Sequence, residues 1–189
     1  MAPTKSQRTR ATLREIALRH FVQHGFDAAS VPAIADEAGV TERTFYRHFA
    51  TKDEVLFADV ADALVWFRTA MRDRPADEDL VRSVVAALGS APTDPRLMVE
   101  IADLRSQLLR PDRIEKVYRD RQGLMARELR ALLVERGDDD LDAAVRAEVV
   151  AGAVFGALLV WTETHGPHDL RELGRLTTAA LERVRPALG

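Results

Sequence analysis

Cysteine is absent from the 189 residues and aromatic side chains make up only 6% of them. The first absence excludes a disulfide scaffold and removes the thiol from any catalytic scheme. The second, set beside abundant Ala, Leu, Arg, Glu and Asp, argues for helices rather than strands. Long hydrophobic runs are missing too. The longest uncharged apolar stretch, Val149 to Trp161, has 13 residues, short of the roughly 20 needed to cross a bilayer, so no membrane partner is expected. MAPTKSQRTRATLREIALRHF lacks the apolar core and small-residue cleavage site of a signal peptide, and a cytoplasmic location is expected. Internal repeats and low-complexity linkers are not found.

What is present fits a folded chain: 47% apolar and 30% charged residues exclude a long disordered polymer. The length suits one domain, or a small one followed by a larger one. Charge is uneven. The net charge is −3, yet Met1 to His24 carries Lys5, Arg8, Arg10, Arg14 and Arg19 against Glu15 alone. A basic N-terminus before an acidic body suits a polyanion, although a solvated basic helix face would look the same.

Leu13, Ile16, Ala17 and Phe21 fall on one helical face, and Gly25 stands where a left-handed cap is needed, so a helix ends near His24. Ser30 can cap a second, short helix with Pro32 in its first turn and Val31, Ile34, Ala35 and Ala38 as its buried stripe. Gly39 stops it, and Thr41 caps a third helix from Glu42 to about Phe49 with Phe45 and Phe49 turned inward. Thr51-Lys52-Asp53-Glu54 reads as a capping box opening a fourth helix that runs to about Arg74. Five more helices fit between the later breaks, at about 77–88, 95–109, 112–136, 141–164 and 168–185. The expected fold is therefore all-α with about nine helices. A three-helix helix-turn-helix domain at 1–50 precedes a larger helical ligand-binding and dimerisation domain at 51–189, and the junction falls inside the fourth helix.

Two short helices joined at Gly39-Val40 make a helix-turn-helix unit, whose second helix enters the DNA major groove. Opposite Phe45 and Phe49, the third helix presents Glu42, Arg43, Tyr46 and Arg47, long or planar side chains that reach bases and phosphates. Arg can bind guanine bidentately, while Thr41, Thr44, Tyr46 and His48 can donate to phosphate and Lys52 lies beside a helix N-terminus. With Ser30 at the cap of the second helix, the expected DNA-binding set is Ser30, Thr41, Glu42, Arg43, Thr44, Tyr46, Arg47, His48 and Lys52. Tyr46 could instead pack on a neighbouring helix. His20 and His24, one turn apart, could bind metal only with a third ligand that the sequence does not supply. No metal site and no cofactor is expected.

VPAIADEAGVTERTFYRHFATKDEVLFADV resembles the DNA-binding segment of the tetracycline-repressor (TetR) family. The likeness covers about residues 10 to 60. It is carried by IADEAGV, by the T-x-x-T-F-Y-R-H-F run from Thr41 to Phe49, and by K-D-E-V-L from Lys52. It implies about nine helices, a homodimer formed by the last two, and a C-terminal small-molecule pocket whose occupation releases DNA. Carried over by position, Thr41, Arg43, Thr44, Tyr46, Arg47, His48 and Lys52 fall where such proteins touch DNA. The early second helix departs from the pattern, with Val31-Pro32-Ala33 where relatives often place an Arg or Thr facing bases. The spacing of the last helices also resembles TetR-type regulators that sense acyl-coenzyme A or other hydrophobic effectors.

In the C-terminal body, Val149 to Trp161 is apolar around its circumference, so more than one side must be covered. Gly152 and Gly156 would let another helix approach closely, and the last helix has its own stripe. Val149, Gly152, Gly156, Leu173, Leu176, Ala180 and Leu181 are thus the expected dimer interface, the alternative being a purely intrachain core. Trp66, Phe67, Met98, Ile101, Tyr118, Met125, Phe155 and Trp161 are candidates to line a pocket for a small, mostly apolar effector, with Arg105, Gln122 and Glu163 as polar contacts. The same residues at helical spacing also suit an ordinary core. His165 and His168 flank a Gly-Pro turn and read as turn residues.

The function expected is a repressor that binds a near-palindromic double-stranded DNA operator as a homodimer and is released by its effector. A helical ligand-binding or interaction module without operator binding is the alternative. An enzyme is disfavoured by the lack of Cys, of a Gly-rich phosphate loop, of a recognisable Ser-His-Asp set and of metal-ligand spacing.

Overall fold

Thr4 opens the chain's first helix: its hydroxyl accepts from the Gln7 amide at 3.2 Å, and the Gln7 side chain accepts from the Thr4 amide at 2.7 Å. This reciprocal cap satisfies two otherwise orphaned donors and starts α1, Lys5–His24. The computed structural model describes residues 4–92, 95–164 and 168–188. The helices that follow are α2 (Val31–Glu37), α3 (Glu42–His48), α4 (Lys52–Leu56), α5 (Ala58–Arg72), α6 (Leu80–Gly89), α7 (Pro95–Leu108), α8 (Pro111–Glu135), α9 (Asp140–Glu163) and α10 (Leu170–Val184), with a short 3-10 turn at Arg185–Ala187. No strand occurs among the described residues.

The chain divides into two compact units, Met1–Ala58 and Asp59–Gly189. In the first, α1 packs on α2 and α4, and α2 on α3. Leu13, Ala17, Phe21, Ile34, Phe45 and Phe49 are all at most 1% exposed and form its core. Full burial of each of the leucine, isoleucine and phenylalanine side chains is worth about 1.5–3 kcal/mol. In the second, α9 packs on α8 and α10, with α7 alongside, and α6 meets α10. By length and composition α9 could cross a membrane, with mean hydropathy 1.9. Within this unit it buries Ala143, Ala147, Val150, Ala151, Phe155, Ala157 and Trp161.

The count is ten α-helices among the described residues rather than nine, because the expected fourth helix is broken. Phe57 has φ −112° and ψ 15°, off the helical values, and its amide closes α4 onto the Asp53 carbonyl at 3.2 Å. Val55, Leu56, Phe57, Ala58 and Asp59 are consecutively buried. One regular helix would spread five successive side chains around its whole circumference, and a change of winding at Phe57 separates α4 from α5. The later helices begin and end within a few residues of the expected positions. The Gly166-Pro167 break and His165 lie outside the described residues.

The core of the second unit contains charge. Arg105 of α7 is ion-paired with Asp59 of α5, and its guanidinium also donates to the Tyr118 hydroxyl of α8 at 2.8 Å. Tyr118 reaches the Thr162 hydroxyl of α9 at 3.4 Å. The Arg105 and Asp59 side chains are only 2% and 5% exposed. Burial works against the Arg105 charge, but Tyr118 and Asp59 outweigh it and hold the guanidinium protonated beyond its ordinary range.

Candidate nucleic-acid interface

The turn between α2 and α3 is built by Gly39, whose φ of +65° is strained for any residue with a Cβ. Two bonds close it: the Gly39 amide onto Asp36 and the Val40 amide onto Ala35, both at 2.9 Å. Ser30 caps α2 through the Ala33 amide at 3.5 Å, and Thr41 caps α3 through the Thr44 amide at 3.2 Å. The two threonine hydroxyls lie 3.1 Å apart. Caps of this kind contribute about 0.5–2 kcal/mol each.

With Phe45 and Phe49 held in the core, Glu42, Arg43, Tyr46 and Arg47 lie exposed on one arc of α3, Tyr46 at 49%. Thr44 is half-buried beside them, and Ser30 and Thr41 are exposed at the helix starts. Tyr46 makes an edge contact with Phe45, ring centroids 5.5 Å apart. His48 is half-buried, and its Nε2 is buried with no hydrogen-bond partner among the described residues. Burial, with Arg47 and Arg10 nearby, lowers its pKa below the ordinary histidine value. A phosphate drawing near would push in the opposite sense. Arg10 itself lies over the Phe49 ring at 5.1 Å, joining α1 to the end of α3.

Lys52 is placed differently from the phosphate-reaching side chain that the sequence suggests. Its ammonium donates to the carbonyls of Phe26, Asp27 and Ala29 at 2.8, 3.1 and 3.0 Å, and it sits 4.9 Å from the Phe26 ring centroid. An ammonium has three donors, and here all three brace the loop between α1 and α2. Lys52→Met is expected to destabilise the first unit by at least about 2 kcal/mol, since a hydrogen bond to a charged group contributes about 1.5–3 kcal/mol net. Urea unfolding followed by circular dichroism measures this. A midpoint equal to that of the parent would show the clamp to be idle.

A second brace escaped the sequence. Glu37 on α2 accepts from His20 Nε2 at 2.7 Å and pairs with Arg19 at 2.8 Å, both on α1. The His20 bond, helped by the Arg19 charge, holds the Glu37 carboxyl below the usual range against the opposing effect of burial. His20 and His24 meet edge to face, centroids 5.5 Å apart. No periodic signal marks the Glu37 contact, because the partners are 17 positions apart.

In the second unit the residues expected to line a pocket are placed in the core. Phe67, Ile101, Arg105, Tyr118, Met125, Phe155 and Trp161 are at most 3% exposed. Trp66, Met98 and Gln122 are half-buried, and Trp66 donates to the Ser90 hydroxyl at 3.2 Å. None of these ten borders the cleft of about 580 Å³ formed by the end of α7, the start of α8, the end of α9 and His168. The aromatics and methionines fill space between helices, as apolar residues at helical spacing do. Glu163 does border the cleft. His168 is more than a turn residue: its side chain is 4% exposed and its Nδ1 is bound to Asp103 of α7.

Of the expected dimer residues, Gly156 is exposed, and Val149, Gly152, Leu173, Leu176 and Ala180 are half-buried. Leu181 is 0% exposed within the single chain, so it belongs to the intrachain core and has no area to offer a partner. The sequence missed three positions that have such area: Leu141, Val145 and Val160, exposed at 72%, 49% and 53%. On α9 they share a face with Val149, Gly152 and Gly156, within an arc of about 100° at helical spacing.

Residues 12–58 match the sequence profile of the bacterial regulatory proteins of the tetR family. Across 97% of this chain and 86% of its own length, the HTH-type transcriptional regulator TcmR of Streptomyces glaucescens is 30% identical. The HTH-type transcriptional repressor KstR2 of Mycobacterium tuberculosis is 36% identical over 64 residues, 34% of this chain and 32% of that protein. A crystal structure from Mesorhizobium loti MAFF303099 carrying a TetR-family designation shares the fold, with a TM-score of 0.54, 19% identity and 98% of each chain covered. The chain belongs to the TetR family of bacterial transcriptional regulators and is a regulator, not an enzyme.

Proposed function

We propose that this regulator is a repressor: as a homodimer it binds a near-palindromic operator, and a small molecule held in the second unit releases it. The observation that carries the reading is the arc of Glu42, Arg43, Tyr46 and Arg47, exposed on a helix whose opposite face is fixed in the core. A single major-groove helix reads few bases, and a two-fold pair reads two half-sites one helical turn apart. The exposed apolar face of α9 supports such a pairing, and the half-buried stripe of α10 extends it. Repression is favoured by the name of the KstR2 relative. The cleft near His168 supplies a ligand-sized space in the second unit.

Sequencing duplexes retained from random pools by the purified protein tests operator binding. Arg47→Ala should weaken a selected site by about 1–3 kcal/mol while nonspecific duplexes change little, if Arg47 reads a base edge. Equal retention of selected and random duplexes would sink the reading and favour a helical ligand-binding module that does not read DNA. Release must also be reciprocal, so operator should weaken effector binding by the factor, typically about 5- to 150-fold, by which effector weakens operator binding.

A further inference from the structure

The cleft in the second unit has a chemistry as well as a volume. Among the described residues its wall carries two carboxylates, Asp103 and Glu163, and no lysine or arginine; Leu109, Pro111, Ile114 and Leu159 supply an apolar body. Glu163 is exposed and has no ion pair or hydrogen bond among the described residues. Asp103 is bound through one oxygen to His168 Nδ1 and keeps its side chain 35% exposed. His168 is wedged in place, its ring 4.5 Å from that of Trp161 and its Nε2 buried without a hydrogen-bond partner among the described residues. An Nδ1–H donated to Asp103 fixes the direction of that carboxylate, making His168 a positioning residue.

Charge complementarity then selects the ligand. An acid or a polyanionic thioester would bring negative charge against Glu163 and Asp103 with no lysine or arginine among the described wall residues to offset it, and partial desolvation in the cleft would strengthen the repulsion. A protonated amine finds two charge-assisted acceptors and leaves its apolar part against the aliphatic wall. We propose that the cleft is the effector site and that it takes a small amphiphile consisting of an apolar ring or chain and a cationic amine. The amine donates to Glu163 and to the Asp103 oxygen not held by His168. This deepens the ligand-release reading above and rests on it.

The test uses the full chain with Trp66→Phe, which leaves Trp161 as the sole tryptophan of the two in the sequence, stacked beside the His168 wall of the cleft. Three probes share one apolar body and differ in head group: 4-phenylbutylamine, 4-phenylbutanol and 4-phenylbutyrate. At neutral pH the amine should change Trp161 fluorescence with a Kd of about a millimolar, the range open to ligands this small. The alcohol should bind about tenfold more weakly and the acid more weakly still. Glu163→Gln, at an exposed position, should remove most of the advantage of the amine over the alcohol while leaving the alcohol unchanged. Asp103→Asn should do the same in part. No saturable amine signal, an amine no better than the alcohol, or an acid that binds as well as either overturns the proposal. Operator retention is measured separately with the same amine. Amine selectivity without operator release would keep the site and remove its role as a switch, whereas operator release with no head-group selectivity would keep the switch and remove this chemistry.

Discussion

Asp59→Ala should cost the second unit about 3–5 kcal/mol, the usual penalty for stranding one member of a buried ion pair. That is a large share of the roughly 5–15 kcal/mol that holds a domain folded. The reason is specific. With Asp59 gone, the Arg105 guanidinium stays enclosed, its side chain 2% exposed, and has lost the carboxylate with which it is ion-paired. Urea unfolding followed by circular dichroism reads the loss as a lower midpoint. The double variant Asp59→Leu with Arg105→Met should recover much of it, since an apolar pair of similar volume removes the stranded charge along with its partner. A double variant as unstable as the single one would mean that packing around these positions, and not charge, sets the stability.

Gly156→Arg should convert the proposed dimer to monomers without unfolding the protomer. Nothing lies within 4 Å of the position that a Cβ would take at Gly156, so the single chain has room for the side chain. Replacing an exposed helical glycine should even stabilise the helix by about 0.5–1 kcal/mol. In a two-fold contact along the α9 face the same arginine enters from both protomers, so the desolvation of a guanidinium is incurred twice. The dimer dissociation constant should rise at least about a hundredfold, equivalent to about 2.8 kcal/mol. Light scattering against concentration measures it, with Val160→Asp as an independent variant on the same face. An unchanged dimer mass in both would place the interface elsewhere. Operator affinity should fall with the dimer, because each half-site then binds alone.

The elements of the first unit were legible because each is punctuated locally. Ser30, Thr41 and Thr51 cap where a hydroxyl precedes an apolar period, and Gly39 turns where a positive φ is needed. The exposed arc of α3 followed from the inward spacing of Phe45 and Phe49. The helices of the second unit were legible to within a few residues from Pro and Gly breaks. What stayed hidden is long-range. Arg105 and Asp59 are 46 positions apart, and Lys52 and Phe26 are 26 apart; neither contact leaves a trace in periodicity. The cleft was not legible for a related reason. Large apolar side chains mark where a core can form, whereas a cleft lies where such side chains are few, and Asp103, Ser106, Gln107 and Thr164 on its wall look like ordinary surface in one dimension. Leu181 belongs to the same class of error, since a helical stripe does not reveal whether its partner is in the same chain or in a second copy.

The Lys52 clamp bears on the order in which the chain acquires structure during synthesis. The carbonyls that it braces belong to residues made 23 to 26 positions earlier. Until residue 52 leaves the ribosome, the loop after α1 is without that brace. A nascent chain stalled shortly before residue 52 would therefore carry the exposed arc of α3 complete in sequence, with the α1–α2 loop still lacking its clamp.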